Sequence, residues 1–129
     1  MVKRAKTSGR QSRPGRLRIV AGNWRSRLLE IPDVAGLRPT SERIRETLFN
    51  WLAPQIQGAR CLDLFAGTGA LGLEALSRGA PRAVFVERSR GSLAALRANI
   101  TTVGATDRCR ILARSALTIR AADFPEGPF

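Results

Sequence analysis

The stretch Cys61-Leu62-Asp63-Leu64-Phe65-Ala66-Gly67-Thr68-Gly69-Ala70-Leu71-Gly72 reads as a buried strand carrying one acid, a glycine turn and a helix start. Leu62, Leu64 and Phe65 fit a parallel strand covered on both faces. Gly67 and Gly69 can take φ > 0 and let a ligand approach the backbone where side chains would block it. A second acid, Glu87, closes the next apolar run, Ala83-Val84-Phe85-Val86. It follows the glycines by about 20 residues, the spacing at which a nucleotide-binding βαβ unit presents an acid to a ribose.

Downstream, Leu71, Leu73, Ala75 and Leu76 form a short helix closed by Gly79. A second helix starts near Ser89, with Leu93, Leu96 and Ile100 on one face and Gly104 as its stop. Cys109 to Ala113 is a third strand, Ser115 to Ala122 has weaker helical or loop character, and Gly127-Pro128 suggests a turn into a further strand. Upstream, Leu17–Ala21 and Trp24–Leu29 flank Gly22-Asn23, a hairpin signal with Arg18, Arg25 and Arg27 on its polar face. After a loop from Pro32 to Pro39, Thr40 can cap a helix with Glu42 in its first turn. Ile44, Leu48, Trp51 and Leu52 recur at helical spacing until Pro54. The pattern predicts three segments: a disordered basic arm (1–15), a hairpin and helix (16–59), and an α/β segment (60–129) forming the N-terminal half of a Rossmann-like, doubly wound sheet.

The 129 residues carry a formal charge of +12, unevenly spread. Lys3, Arg4, Lys6, Arg10, Arg13, Arg16 and Arg18 stand in the first 18 residues without an acid. Such an arm suits a polyanion, with a merely solvated tail as the competing reading. With no histidine or tyrosine, the usual general bases for nucleophilic hydrolysis are lacking. Cys61 and Cys109 lack CxxC spacing, which predicts buried thiols rather than a disulfide or zinc site, and no metal. No apolar run approaches the length of a membrane span, and the basic start lacks a signal-peptide core, so a soluble, cytoplasmic protein is expected.

The acids and glycines together suit S-adenosylmethionine, which has a positive sulfonium, an amino-acid end and a ribose. Gly67 and Gly69 supply backbone access, Asp63 accepts from the amino group or its waters, and Glu87 takes both ribose hydroxyls. Gly67 to Gly72 also matches the dinucleotide pattern G-x-G-x-x-G, a weak signal alone. Asp63 argues against it, because a pyrophosphate at that helix N-terminus would meet a carboxylate.

Leu37-Arg38-Pro39-Thr40-Ser41-Glu42-Arg43-Ile44-Arg45-Glu46-Thr47-Leu48-Phe49-Asn50-Trp51-Leu52, with Arg18–Arg25 before it and Asp63–Gly69 after it, closely resembles the RsmD family over roughly Arg16 to Phe129. The resemblance implies a class I methyltransferase that modifies the exocyclic N2 of a guanine in 16S ribosomal RNA, within a small-subunit assembly particle. It implies that Arg38, Pro39 and Thr40 close over the methionine end of the cofactor. Asp63, Phe65, Gly67, Thr68, Gly69 and Glu87 then line the rest of the site. Where relatives place an adenine-binding Asp, this sequence has Ser115. Arg16, Arg18, Arg25 and Arg27 join the arm as RNA-binding candidates.

The family's Asp/Asn-Pro-Pro-Phe/Tyr motif, which accepts the protons of the amine and stacks on the extruded base, matches nothing in residues 1–129. It is expected beyond Phe129, so no catalytic residue is assigned and an incomplete, inactive portion is expected. Two competitors remain: an adenine or cytosine amine methyltransferase, and a non-catalytic RNA- or cofactor-binding remnant.

Overall fold

The computed structural model describes residues 15–32 and 40–129. Its centre is a parallel sheet of β3 (Arg60–Asp63), β4 (Arg82–Val86) and β5 (Cys109–Leu112), in the order β3-β4-β5. The middle strand β4 buries Ala83, Val84, Phe85 and Val86 completely, hence its unbroken apolar run. The crossovers are helices α2 (Ala70–Ser77) and α3 (Arg90–Val103). Ser89 caps α3, and Gly104, at φ 71°, ends it. A Cβ on Gly72 would lie 2.2 Å from the Phe85 ring, so α2 can lie directly on β4 only because residue 72 has no side chain.

The first strand is shorter than the sequence suggests. It stops at Asp63, whose Oδ1 accepts the Phe65 N–H at 3.4 Å and turns the chain. Leu64 and Phe65 therefore leave the sheet, and Phe65 is 77% exposed rather than covered. Cys61 and Cys109 are free and half-buried rather than buried. Both flank Ala83 in the register, on the two outer strands. Burial still pushes both thiols up, Cys109 to about 11.

The N-terminal hairpin forms, but not around a two-residue turn. Strands β1 (Arg16–Arg18) and β2 (Leu28–Glu30) pair antiparallel, with buried Leu17 opposite buried Leu29. Residues 19–27 form a loop pressed onto α2. The Val20 and Ala21 N–H groups each donate to the Glu74 carboxylate at 3.0 Å. Asn23 N–H donates to the Ser77 carbonyl at 2.8 Å, and Trp24 N–H to Ser77 Oγ at 2.9 Å. Backbone donors that a tight hairpin would use in its own ladder are thus spent on the helix. Gly22, at φ 91°, is where the approach is closest: a Cβ there would lie 2.0 Å from the Ser77 carbonyl oxygen. Arg108 completes the seam, donating to the carbonyls of Leu76 and Ala80 at 3.0 and 2.6 Å and standing over the Trp24 ring.

Helix α1 (Glu42–Ile56) also departs from expectation. Ser41, not Thr40, caps it, with Oγ accepting the Ile44 N–H at 3.2 Å. The helix continues through Pro54 to buried Ile56, which packs into the core and keeps the last turn in place. Its buried face carries Arg45, Phe49 and Ile56, with Leu48 and Leu52 beside them, while Ile44 and Trp51 are 60% and 75% exposed. The rotation has an electrostatic reason. Arg45 Nη1 meets Glu74 Oε1 at 3.0 Å, and both side chains are buried, so α1 turns its arginine inward and its tryptophan outward.

Candidate functional site

A cleft of about 310 Å³ opens where β3, β4 and β5 end, and Phe65, Val86, Glu87, Arg114, Ser115 and Leu117 line it. Doubly wound sheets bind ligands at these carboxyl ends. Of the residues proposed from the sequence, the cleft brings together Phe65, Glu87 and Ser115. Gly67, at φ 57°, reaches the same place through its N–H, which donates to Glu87 Oε1 at 2.7 Å. Glu87 Oε2 accepts from the Arg88 and Ser89 N–H groups at 3.1 and 2.8 Å. A carboxylate offers about four acceptor directions, so the open one is on Oε1. Glu87 is therefore both a cleft wall and the anchor of two loops, and it does not stand with both oxygens free for two hydroxyls.

Asp63 is half-buried at the end of β3. Loss of solvent raises its pKa above the ordinary 3.8, and the Glu87 charge raises it further, against the lowering effect of N–H groups from Phe65 and Gly72. The two acids thus sense each other across the glycine turn.

The remaining candidates play other parts in the geometry. Gly69 is buried, and a Cβ on it would lie 2.5 Å from the Leu96 side chain. Its lack of a side chain serves close packing and the φ of 91° at the start of α2, not an approach from the solvent side. Thr68 is buried, with its carbonyl accepting from Asn99. The Thr40 carbonyl accepts from Arg45 Nε at 3.2 Å. Arg38 and Pro39 lie outside the described residues. Ser115 Oγ accepts the Leu117 N–H at 3.1 Å, starting the short 3-10 turn Ala116–Thr118.

On the hairpin, Arg16, Arg18, Arg25 and Arg27 are all exposed. Arg18 lies 3.7 Å from Glu42, and Arg27 donates to the Thr102 carbonyl at 2.6 Å. Lys3, Arg4, Lys6, Arg10 and Arg13 lie outside the described residues. Among the described residues no helix is long and apolar enough to cross a membrane, and no acid or cysteine cluster could hold a metal ion.

Sequence reasoning missed Leu117, Glu74 and Asn99. Leu117 is 91% exposed on the cleft wall, in a turn held by Arg114 donating to the Thr118 carbonyl at 2.7 Å. A lone leucine in an irregular segment gives no periodic signal. Glu74 did leave one: an acid inside the apolar helix Ala70-Leu71-Gly72-Leu73-Glu74-Ala75-Leu76 needs a partner if it is buried.

The family model described as conserved hypothetical protein 95 matches residues 17–123. The chain belongs to this family. It is the RsmD family of the resemblance drawn above. Ribosomal RNA small subunit methyltransferase D of Escherichia coli strain K12 is 51% identical over 107 residues, which are 83% of this chain and 54% of that protein. The chain thus spans about half the length of the curated relatives it matches. The solved structure of the yhhF protein from Escherichia coli is 47% identical with a TM-score of 0.74, covering 81% of this chain and 55% of that one. An RNA methyltransferase from Salinibacter ruber, solved in complex with S-adenosyl-L-homocysteine, is 19% identical with a TM-score of 0.57 over 64% of this chain and 53% of that one. The family member has the Rossmann-like methyltransferase fold, which the more distant neighbour shares.

Proposed function

We propose that this chain binds S-adenosylmethionine and supplies the cofactor site of an RsmD-type enzyme that methylates the exocyclic N2 of a guanine in 16S ribosomal RNA, within a small-subunit particle. The observation that carries the reading is the acid pair at the ends of adjacent strands. Asp63, already destabilised as an anion by burial and by Glu87, favours a ligand with positive charge and disfavours a pyrophosphate. The residues fit this cofactor. Asp63 would face its cationic end, the open direction on Glu87 Oε1 would take a ribose hydroxyl, and Phe65 and Leu117 would offer apolar surface to the adenine. Ser115 would supply a polar edge, and Arg38-Pro39-Thr40 would close the methionine end. When bound, the cofactor supplies an electrophilic methyl group on a positive sulfur.

The test is calorimetric titration with S-adenosylhomocysteine and, in parallel, with a reduced nicotinamide dinucleotide. Binding of the first alone is expected; binding of the second alone would overturn the reading. Methyl transfer is then assayed with the protein as its gene encodes it, on unmodified 16S ribosomal RNA. N2-methylguanosine is the expected product, whereas N6-methyladenosine or N4-methylcytidine would reassign the base.

Affinity should also depend on pH through Asp63. A ligand cation stabilises the carboxylate, so the complex holds its proton less tightly than the free protein, and binding releases it. S-adenosylhomocysteine, which keeps the ammonium, should therefore bind more tightly as pH rises from 3.8 through the raised range of Asp63, and then level off. Asp63→Asn should remove the part of the rise that lies above the ordinary carboxylate range. An unaltered profile in that variant would place the cation elsewhere.

The basic hairpin carries the RNA part of the proposal. If Arg16, Arg18, Arg25 and Arg27 meet phosphates, RNA affinity should fall with salt with a log–log slope of about 0.7–0.9 per contact. Replacing Arg16 and Arg25 by alanine should flatten that slope by about 1–2 and leave cofactor affinity unchanged. Deleting residues 1–15 should act in the same direction. An equal slope in every variant would make these arginines a solvated face.

A further inference from the structure

Asn99 is 1% exposed on α3, among Ala95, Leu96, Ile100 and Val103. An apolar residue of similar size would suit both the helix and its surroundings better. What Asn99 has instead is three hydrogen bonds to backbone far away in the chain. Its Oδ1 accepts the Glu30 N–H at 2.7 Å, and its Nδ2 donates to the Glu30 carbonyl at 3.1 Å and to the Thr68 carbonyl at 2.9 Å. Toward Glu30, the last residue of β2, the side-chain amide acts as a neighbouring strand would, giving one acceptor and one donor. Toward Thr68 it grips the middle of the glycine turn. The same peptide unit is held at its other end, because Gly69 N–H donates to the Ala66 carbonyl at 2.9 Å. With Gly67 N–H on Glu87, the turn is tied at three successive residues.

We infer that Asn99 is a positioning residue for the cofactor site. It fixes the Thr68–Gly69 peptide within the turn that sets the Gly67 N–H against Glu87 at the cleft, and joins that turn to the end of the basic hairpin. This rests on the S-adenosylmethionine reading above. A buried amide serving stability alone would add to the melting temperature without preferring the cofactor. The two roles separate experimentally.

Asn99→Leu removes all three bonds, whereas Asn99→Asp keeps the acceptor for Glu30 N–H and loses the donor to the Glu30 and Thr68 carbonyls. Val103→Ala, on the same helix and likewise outside the cleft lining, is the control for stability loss. Titration with S-adenosylhomocysteine, at a temperature where each variant is folded, should show about tenfold weaker binding in both Asn99 variants. Val103→Ala should stay within about twofold. In the unaltered protein, the Asn99 side-chain amide resonances should shift on saturation with S-adenosylhomocysteine together with those of Gly67 and Gly69, a readout that needs no variant to fold. Asn99 variants that bind as tightly as Val103→Ala, or amide resonances that stay in place, would overturn the inference alone. Failure of the unaltered protein to bind S-adenosylhomocysteine would instead overturn the cofactor reading, and this inference with it.

Discussion

Glu74→Ala is expected to unfold the chain or leave it barely stable at neutral pH. The Glu74 carboxylate receives four donors: the Val20 and Ala21 N–H groups, Arg45 Nη1 and Arg78 Nε, all at 2.9–3.0 Å. Burial pushes the Arg45 guanidinium below its ordinary pKa, and the Glu74 charge holds it up against that. Removing one partner of a buried pair typically costs about 3–5 kcal/mol, and each orphaned backbone N–H adds about 1–3 kcal/mol where water cannot replace the acceptor. A domain has about 5–15 kcal/mol in total, so the loss consumes most of it. Urea denaturation followed by circular dichroism measures this. The double replacement Arg45→Leu with Glu74→Leu should recover part of the loss, because apolar side chains often substitute well for a buried pair. It should not recover all of it, since Val20 and Ala21 still lack their acceptor. A loss below about 1 kcal/mol for Glu74→Ala would mean that water enters and satisfies these groups.

Glu87→Ala carries the largest expected effect on the ligand. In the proposed site Glu87 supplies one charge-assisted bond to the ribose, worth about 1.5–3 kcal/mol. Its other acceptor directions hold the N–H groups of Gly67, Arg88 and Ser89, so alanine also loosens the turn on one side and the entry to α3 on the other. The combined loss is expected near 2–4 kcal/mol, or about 30- to 1000-fold in the dissociation constant for S-adenosylhomocysteine. Glu87→Gln keeps one acceptor oxygen and should lose less. Calorimetry on the three proteins checks the order. Equal affinity in all three would remove Glu87 from the site.

Much of this architecture was legible because local signals and tertiary packing agreed. Val84, Phe85 and Val86 read as the second strand and lie in it. Ser89 and Gly104 read as the ends of α3 and are its caps. The disagreements share one origin, polar groups paired across long stretches of sequence. Gly22-Asn23 signals a tight turn, but Glu74 and Ser77, more than fifty residues away, draw the N–H groups of Val20, Ala21, Asn23 and Trp24 out of the ladder. Ile44 and Trp51 match helical spacing as well as Phe49 does, and the face that is buried is the one that brings Arg45 to Glu74 together with Phe49 and Ile56 into the core. Within the site, spacing pointed to Glu87 and Asp63. That Gly69 is needed against Leu96 depends on a rotamer two elements away, which no periodicity encodes.

The ties of the hairpin also set an order of events in time. Its bonds to α2 and α3 join residues 53 to 75 apart in sequence. Closing such loops delays contact formation relative to local helix growth. On a chain made from its N-terminus at about 5–20 residues per second, β1 and β2 leave the synthetic machinery seconds before Asn99 exists to receive them. The hairpin is thus made before the helices it docks on, with Leu17, Ile19 and Leu29 waiting uncovered in the interval. Pulsed hydrogen exchange during refolding should find the Val20, Ala21 and Glu30 amides protected after those of β4 and α3; protection at the same time would mean that the hairpin docks with the nucleus.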